Sequence, residues 1–160
     1  GSAFLENRIP VVQGERVPEM GCVYHLPYGT GIADDSFSTR WFTERYNKVT
    51  GRSAEGVREV AMMAGEDARV LDIFKEFGTN LGSFLAPWLK RFDAGILIMG
   101  GNISHAWNLF GKETEEALRK EGCDTITAIS ELKEDAALLG SACLLDEEFW
   151  KAVQPALALM

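Results

Sequence analysis

The sequence contains few cysteines and no long apolar run. Its three cysteines, Cys22, Cys123 and Cys143, are odd in number and far apart. That pattern predicts no disulfide framework and favours a reducing, cytoplasmic setting. No apolar run reaches the roughly 18 residues that a membrane span needs, so no membrane partner is expected. No signal-peptide pattern opens the chain.

Basic residues are also in the minority. Lysine and arginine number 16 against 24 acidic residues, which gives a formal charge of -8. A nucleic-acid groove usually carries a basic patch, so this charge argues against one. A single anionic group is less disfavoured, because a few backbone N–H groups can hold a phosphate on an acidic protein.

The rest of the composition is that of a globular domain. Hydrophobic residues make up 46% and charged residues 25% of the 160 positions, which is enough for one domain with a sizeable core. Gly1 and Ser2 resemble a scar left by expression cloning. The domain is therefore taken as residues 3–160.

The start of the chain predicts a hairpin followed by a loop. Residues 3–6 and 9–12 have the pattern of strands that flank a tight turn at Asn7 and Arg8. Residues 22–35 are rich in glycine and aspartate and are expected to be mostly loop.

Two helices are predicted next. Ser36 or Ser38 can cap the first, which Gly51 is expected to end. Ser53 can cap the second, which is expected to end near Gly65.

The strongest periodic pattern predicts a long helix from Asp67. Its apolar residues recur every three or four positions and form one stripe. They are Val70, Phe74, Phe77, Leu81, Phe84 and Trp88. Pro87 is expected to bend or end this helix. Gly78 and Gly82 are expected to let it pack closely on a sheet, with a dimer face as the alternative.

The second half alternates strands and helices, which predicts a parallel-type α/β sheet. Residues 95–99 are expected to be a buried strand, and residues 124–130 the next strand. Between them, a helix capped by Ser104 is expected to break at Gly111 and stop at Gly122. A further helix is expected to start at Glu134 and Asp135, and the apolar tail is expected to dock on the rest.

The segment ILIMGGNIS places Gly100, Gly101 and Asn102 after a strand and before a helix. Ligands of parallel sheets bind at the carboxyl ends of strands, and glycines there let a nucleotide approach the backbone. The alternative is a plain tight turn that needs a positive φ, and the spacing alone favours it. The segment has neither the GxGxxG nor the Walker A pattern.

The segment PEMGCVYH combines a carboxylate, a thiol and an imidazole. Glu19 can bind two sugar hydroxyls, or it is a solvated loop acid. Cys22 and His25 have the spacing of half a zinc site, but no second pair follows them. Zinc is therefore not expected. No serine, histidine and acid have the spacing of a nucleophilic site, so no catalytic residue is assigned.

Taken in order, five segments resemble the carboxyl-terminal half of the ROK family, which comprises bacterial sugar kinases, glucokinase-like enzymes and sugar-responsive repressors. They are PEMG, RWFTERYNKVTG, FGTNLGSFLAPWLKRFD, GILIMGGNIS and AALLGSACLL. The resemblance covers nearly all of residues 3–160. It implies a single α/β lobe of the actin-like ATPase and sugar-kinase fold, RNase H-like, with helices packed on a mixed sheet.

The resemblance also implies a nucleotide site. Gly100 and Gly101 match the family's adenosine-binding glycines, and Asn102 is assigned to the same site. ATP with Mg²⁺ is the implied cofactor of the whole protein.

A sugar site is implied by the first of these segments. Glu19 and Gly21 match the E-x-G-H sugar-binding motif of the family. Cys22 stands where the family has its histidine, and His25 lies three residues further on, so either can replace it. The family's zinc cluster has no counterpart.

An ATP-dependent kinase acting on a hexose or N-acetylhexosamine is the implied function. The amino-terminal lobe of the family, with its first phosphate loop and catalytic aspartate, has no counterpart here, so the fragment alone is expected to be inactive. Two alternatives stay open: a sugar-sensing regulator, which alone would bind nucleic acid, or a catalytically dead sugar-binding member. A homodimer is a further alternative.

Overall fold

The computed structural model describes residues 1–132 and 135–159. Its elements are β1 (Leu5–Glu6), β2 (Ile9–Pro10), β3 (Pro27–Tyr28), β4 (Gly31–Ile32), α1 (Ala33–Ser36), α2 (Thr39–Thr50), α3 (Val57–Met63), α4 (Ala68–Phe92), β5 (Ile96–Met99), α5 (Trp107–Lys120), β6 (Ile126–Ile129), α6 (Asp135–Cys143) and α7 (Glu147–Leu157). Short 3-10 helices cover Glu19–Gly21 and Asn102–Ala106. The predicted α/β mixture with packed helices is confirmed, but the described strands form three separate two-stranded sheets where one mixed sheet was predicted.

Helix α4 lies at the centre of the hydrophobic core. Its apolar stripe packs against α2, α3 and α5, and the largest fully buried side chains include Phe42, Phe74 and Phe110. The ring centroid of Phe77 lies 4.6 Å from that of Phe42 and 5.1 Å from that of Phe110. Aromatic pairs at such distances add to the stabilisation that burial of apolar area provides. Tertiary packing therefore holds this helix.

The ends of α4 confirm its predicted start and show that Pro87 does not end the helix. Asp67 is the N-cap, and its side chain accepts a hydrogen bond from the backbone N–H of Arg69. The helix ends where Asp93 adopts the left-handed conformation, with φ 59°. Pro87 does not end the helix, which continues past it. The carbonyl of Ser83, which loses its N–H partner to the proline, lies on an exposed face where water can bind it.

Gly78 and Gly82 pack against a helix, not against a sheet as predicted. A Cβ on Gly78 would lie 3.1 Å from the carbonyl carbon of Phe110. One on Gly82 would lie 2.7 Å from the Cβ of Ala117. The glycines therefore bring α4 and α5 of the same chain into backbone contact. Because this face is occupied, the alternative of a dimer face at these glycines is wrong.

The amino-terminal hairpin is confirmed, with shorter strands than predicted. Leu5 lies opposite Pro10 in an antiparallel pair. Asn7 and Arg8 have positive φ values of 52° and 70°, as a type I′ turn requires. Residues 22–35 are more regular than predicted, since they contain the β3–β4 hairpin and α1.

Strands β5 and β6 form a parallel pair, as the alternation predicted. Leu97 lies opposite Thr127 and packs inward with Leu118. The expectation of a buried β5 is wrong, because Ile96 and Ile98 are 53% and 61% exposed. All four residues of β5 are apolar, so the sequence does not show whether one face of the strand is covered or both.

Helix α2 has the predicted boundaries. Ser38 occupies the N-cap position, although its side chain makes no capping hydrogen bond, and Gly51 ends the helix with φ 73°. Gly122 also follows the end of α5 in the left-handed conformation, with φ 64°.

Two other helix predictions are wrong. Ser53 does not cap α3, which starts after Gly56 because Val57 is its first residue to enter the core. Gly111 does not break α5. It is buried beneath the indole of Trp107, whose Nε1 would lie 2.5 Å from a Cβ at this position, so packing explains this glycine.

The last two helices differ in their packing. Glu134, the predicted start of α6, lies outside the described residues, and α6 itself begins at Asp135 with every residue exposed. Helix α7 packs against β2 and buries Val153, which confirms the predicted docking of the tail. None of the described helices combines the length and apolarity needed to cross a membrane.

Candidate functional site

The glycine turn (residues 100–102) follows β5 directly. Gly101 has φ 73° and ψ -179°, a region that is accessible essentially to glycine alone. Asn102 begins the short 3-10 helix. The Ser104 hydroxyl donates a hydrogen bond of 2.7 Å to the Gly101 carbonyl, so Ser104 closes the turn instead of capping α5 as predicted.

The space around this turn is open. A Cβ on Gly101 would meet no atom of the described residues within 4 Å, and one on Gly100 would lie 3.7 Å from the Cβ of Ser130. The N–H of Ser130 donates to the Met99 carbonyl at 2.8 Å, so the carboxyl ends of the two parallel strands meet here. A base or ribose can approach the backbone at this edge without meeting a side chain.

The Glu19 segment (residues 18–25) begins with a one-turn 3-10 helix. The N–H of Gly21 donates to the Pro18 carbonyl at 2.9 Å. Met20, at the centre of the turn, has φ 61°, which is uncommon for a residue with a side chain. The Glu19 side chain is exposed, and among the described residues its carboxylate has no hydrogen-bond partner. It is therefore available to accept hydrogen bonds from hydroxyl groups.

Gly21 occupies the tightest contact of this segment. It is buried with φ +60°, and a Cβ on it would lie 2.7 Å from the Cα of Val12, just after β2. The close approach of the turn to the hairpin accounts for the glycine. The close contact at Gly21 therefore fixes the position of Glu19 on the surface.

Cys22 and His25 contact each other. The Cys22 Sγ lies 3.8 Å from the His25 Nδ1, with Cys22 6% exposed and His25 half-buried. The Tyr24 ring packs edge-on, with its centroid 5.2 Å from that of the imidazole. Across residues 1–132 and 135–159, no three or more His, Cys, Asp or Glu side chains are grouped to hold a metal ion.

The glycine turn and the Glu19 segment lie in different parts of the core. Val23 belongs to a cluster with Phe92, at the carboxyl end of α4. Met99 and Ile103, on either side of the glycine turn, pack on the cluster that includes Phe77, Leu81 and Phe110. The predicted residues therefore fall into two groups, which pack on different hydrophobic clusters along α4.

A cavity of about 270 Å³ at the start of α4 was not predicted. Its lining residues are Tyr46, Thr50, Arg52, Met63, Glu66, Asp67, Ala68 and Val70. Hydrogen bonds from the Arg69 side chain and backbone lower the pKa of Asp67, and the charge of Arg52 adds to this effect. The lining comes from two separate stretches of the chain, residues 46–52 and 63–70, so no single local sequence pattern predicts it. Neither the glycine turn nor the Glu19 segment contributes to it.

No family model and no curated protein matches this sequence. Solved structures do. A proposed sugar kinase from Cytophaga hutchinsonii aligns with a TM-score of 0.75 and 21% identity, over 91% of this chain and 54% of that chain. A ROK family glucokinase from Streptomyces griseus, in complex with glucose and AMPPNP, aligns with a TM-score of 0.70 and 17% identity, over 89% of this chain and 55% of that chain. The chain shares the fold of sugar-kinase structures.

This sugar-kinase fold confirms the resemblance that the sequence motifs indicated. The chain spans about half the length of the two kinase structures. The RNase H-like assignment and the identity of the lobe stay predictions, as do the roles of the individual site residues.

Proposed function

We propose that this chain is the carboxyl-terminal, RNase H-like lobe of a ROK-type sugar kinase, which transfers a phosphoryl group from ATP to a hexose or N-acetylhexosamine. One observation carries the proposal. A glycine-only conformation at Gly101 faces open space at the carboxyl ends of two parallel strands. The likeness in fold to a glucokinase that was solved with glucose and AMPPNP supports it.

The glycine turn receives the adenosine of ATP in this proposal. Gly100 and Gly101 leave the backbone accessible, and the exposed amide of Asn102 offers both a donor and an acceptor. ATP supplies the phosphoryl group when it is bound. The described residues offer no cluster suited to Mg²⁺, so the ion has no assigned ligand in this chain.

The Glu19 segment receives the sugar. A carboxylate with two free oxygens accepts hydrogen bonds from two neighbouring hydroxyls, which is a common way to orient a sugar ring. Phosphoryl transfer also needs a base within hydrogen-bond reach of the attacking hydroxyl and a cradle for the phosphates. We assign both to a second lobe outside this chain.

The first test follows from the assignment of the base and the phosphate cradle to a second lobe. We expect the 160-residue chain to show no kinase activity, because neither the base nor the phosphate cradle is assigned to it. A coupled ADP-release assay with glucose, N-acetylglucosamine and MgATP measures this. Turnover well above a buffer blank would contradict the assignment to one lobe.

A second test addresses the glycine turn directly. Gly101→Ala places a Cβ in a backbone region that costs on the order of 1–3 kcal/mol for other residues. We expect AMPPNP to bind about tenfold or more weakly, as measured by calorimetry.

Gly95→Ala is the matched control, at the opposite end of β5. A Cβ there meets nothing within 4 Å among the described residues, and no positive φ is required. We expect unchanged AMPPNP binding for this control. Equal affinities for both variants, with thermal melting showing that each is folded, would refute the assignment of the glycine turn.

A further inference from the structure

The cavity at the start of α4, which we call the α4 cavity, is lined by polar groups that the proposed kinase function does not use. Tyr46 and Val70 are 4% and 1% exposed, so they form its inner wall. Arg52 and Glu66 are exposed, so they lie toward its entrance. The cavity of about 270 Å³ is therefore a recess with a buried floor and charged groups at its mouth.

The Tyr46 hydroxyl lacks a partner although its side chain is buried in the core. No residue that the structure describes forms a hydrogen bond with it. Within residues 1–132 and 135–159, Ser38 holds the single hydroxyl oxygen that is closed off from solvent without a partner. The Tyr46 oxygen is therefore reached from solvent, and the cavity that Tyr46 lines provides that access. Because buried polar groups are normally hydrogen-bonded, this hydroxyl is available to a bound molecule.

Two opposite charges on the lining are also unpaired. The Arg52 backbone is held by the bond of its N–H to the Thr50 hydroxyl at 3.1 Å. Its guanidinium forms no ion pair with the described residues, and neither does the Glu66 carboxylate. Asp67 differs, because the Arg69 guanidinium binds its carboxylate at 2.7 Å. Arg52 and Glu66 thus suit a ligand that carries both charges.

The first turn of α4 adds a donor to the same cavity. The N–H groups of Arg69 and Val70 are bound to the side chain and the carbonyl of Asp67, respectively. The N–H of Ala68, which lines the cavity, has no partner among the described residues. A helix N-terminus favours a negative group, and the planar guanidinium of arginine matches a carboxylate. The lining therefore offers two kinds of donor to a carboxylate.

We propose that the α4 cavity binds a small α-amino acid with a polar side chain, such as L-serine. Arg52 and the Ala68 N–H bind its carboxylate, Glu66 binds its ammonium group, and the Tyr46 hydroxyl meets its side chain. Neither the glycine turn nor the Glu19 segment lines this cavity. The inference therefore goes beyond the proposed kinase function and does not depend on it.

Other small ligands fit the lining less well. An inorganic anion would bind Arg52 but would be repelled by Glu66 and Asp67. A metal ion would face the positive charge of Arg52, and no three His, Cys, Asp or Glu side chains of the described residues are grouped to hold one. A neutral polyol would leave both charges without a partner. A zwitterion satisfies both.

Protein NMR with L-serine as the probe tests the ligand class and its location. We expect shifts of backbone amide signals that are confined to residues 46–52 and 63–70. L-alanine, ethanolamine and 3-hydroxypropionate each lack one group: the hydroxyl, the carboxylate and the ammonium. We expect the Kd to rise about threefold for L-alanine and about tenfold or more for the other two, because hydrogen bonds to charged groups are the stronger ones. No shifts at the lining with L-serine, equal affinity for all four compounds, or the same shifts with glucose would overturn the proposal.

Variants identify the residues that bind the probe. We expect Arg52→Gln and Glu66→Gln each to raise the Kd for L-serine about tenfold. Arg58→Gln is the matched control, because Arg58 is an exposed arginine of α3 outside the lining, and it should leave the Kd unchanged. Tyr46→Phe should weaken binding about threefold without lowering the melting temperature of the free protein, since its hydroxyl has no partner in the fold. Unchanged affinity in Arg52→Gln and Glu66→Gln would refute the site.

Discussion

Gly78 lies where the backbones of α4 and α5 touch, and it gives an unusual prediction at the scale of a single residue. Alanine normally stabilises a helix relative to glycine by about 1 kcal/mol. Here a Cβ would lie 3.1 Å from the carbonyl carbon of Phe110 and 3.2 Å from the Cβ of Glu113. We expect Gly78→Ala to lower the free energy of unfolding by about 1–3 kcal/mol, because the two helices must separate. Urea unfolding measures this difference.

Gly140→Ala is the matched control. Gly140 is also in a helix, but α6 is exposed, and a Cβ there meets no described atom within 4 Å. We expect no loss of stability, and a gain of up to about 1 kcal/mol if α6 unfolds with the core. A Gly78→Ala protein as stable as the parent would show that α4 and α5 can separate without loss of packing.

At the scale of elements, the sequence predicted what local physics determines. The stripe along α4, its start at Asp67 and the turn at Asn7 and Arg8 each follow from neighbours within a few positions. Gly111 does not. A glycine inside a helix indicates either a break or a close contact, and only the position of the Trp107 ring decides between them.

The candidate site also has features that the sequence predicted and features that depend on tertiary packing. The sequence order predicted that Gly100 and Gly101 follow a strand. The structure adds the φ and ψ values at Gly101, which only glycine adopts readily. The burial of Cys22 was not readable, because it depends on how the Glu19 segment packs against the hairpin. The packing of the glycine turn and the Glu19 segment on different hydrophobic clusters depends on tertiary contacts, which no short sequence motif determines.

At the scale of the whole molecule, one face of the β5–β6 sheet is uncovered. Ile96, Ile98 and Ile126 point away from the core and are 53%, 61% and 66% exposed. Parallel strands in α/β proteins are normally covered on both faces. Contiguous apolar surface of this kind binds other apolar surface. The formal charge of -8 opposes association of identical chains, but salt screens that repulsion.

The uncovered sheet face therefore predicts salt-dependent self-association of the 160-residue chain. Light scattering over a range of concentrations should show mass increasing with salt, and an environment-sensitive dye should bind to the isoleucine face. We expect Ile98→Lys to reduce both effects, because it places a charge at the centre of that face without disturbing the inward-facing Leu97. Met62→Lys makes the same change of charge at a residue of α3 that is 71% exposed, and it should have little effect. Each added lysine lowers the repulsion between chains, because it brings the net charge of -8 closer to zero, so net charge alone would favour association in both variants. Loss of association in Ile98→Lys alone assigns it to the sheet face, and an equal loss in Met62→Lys would contradict that assignment.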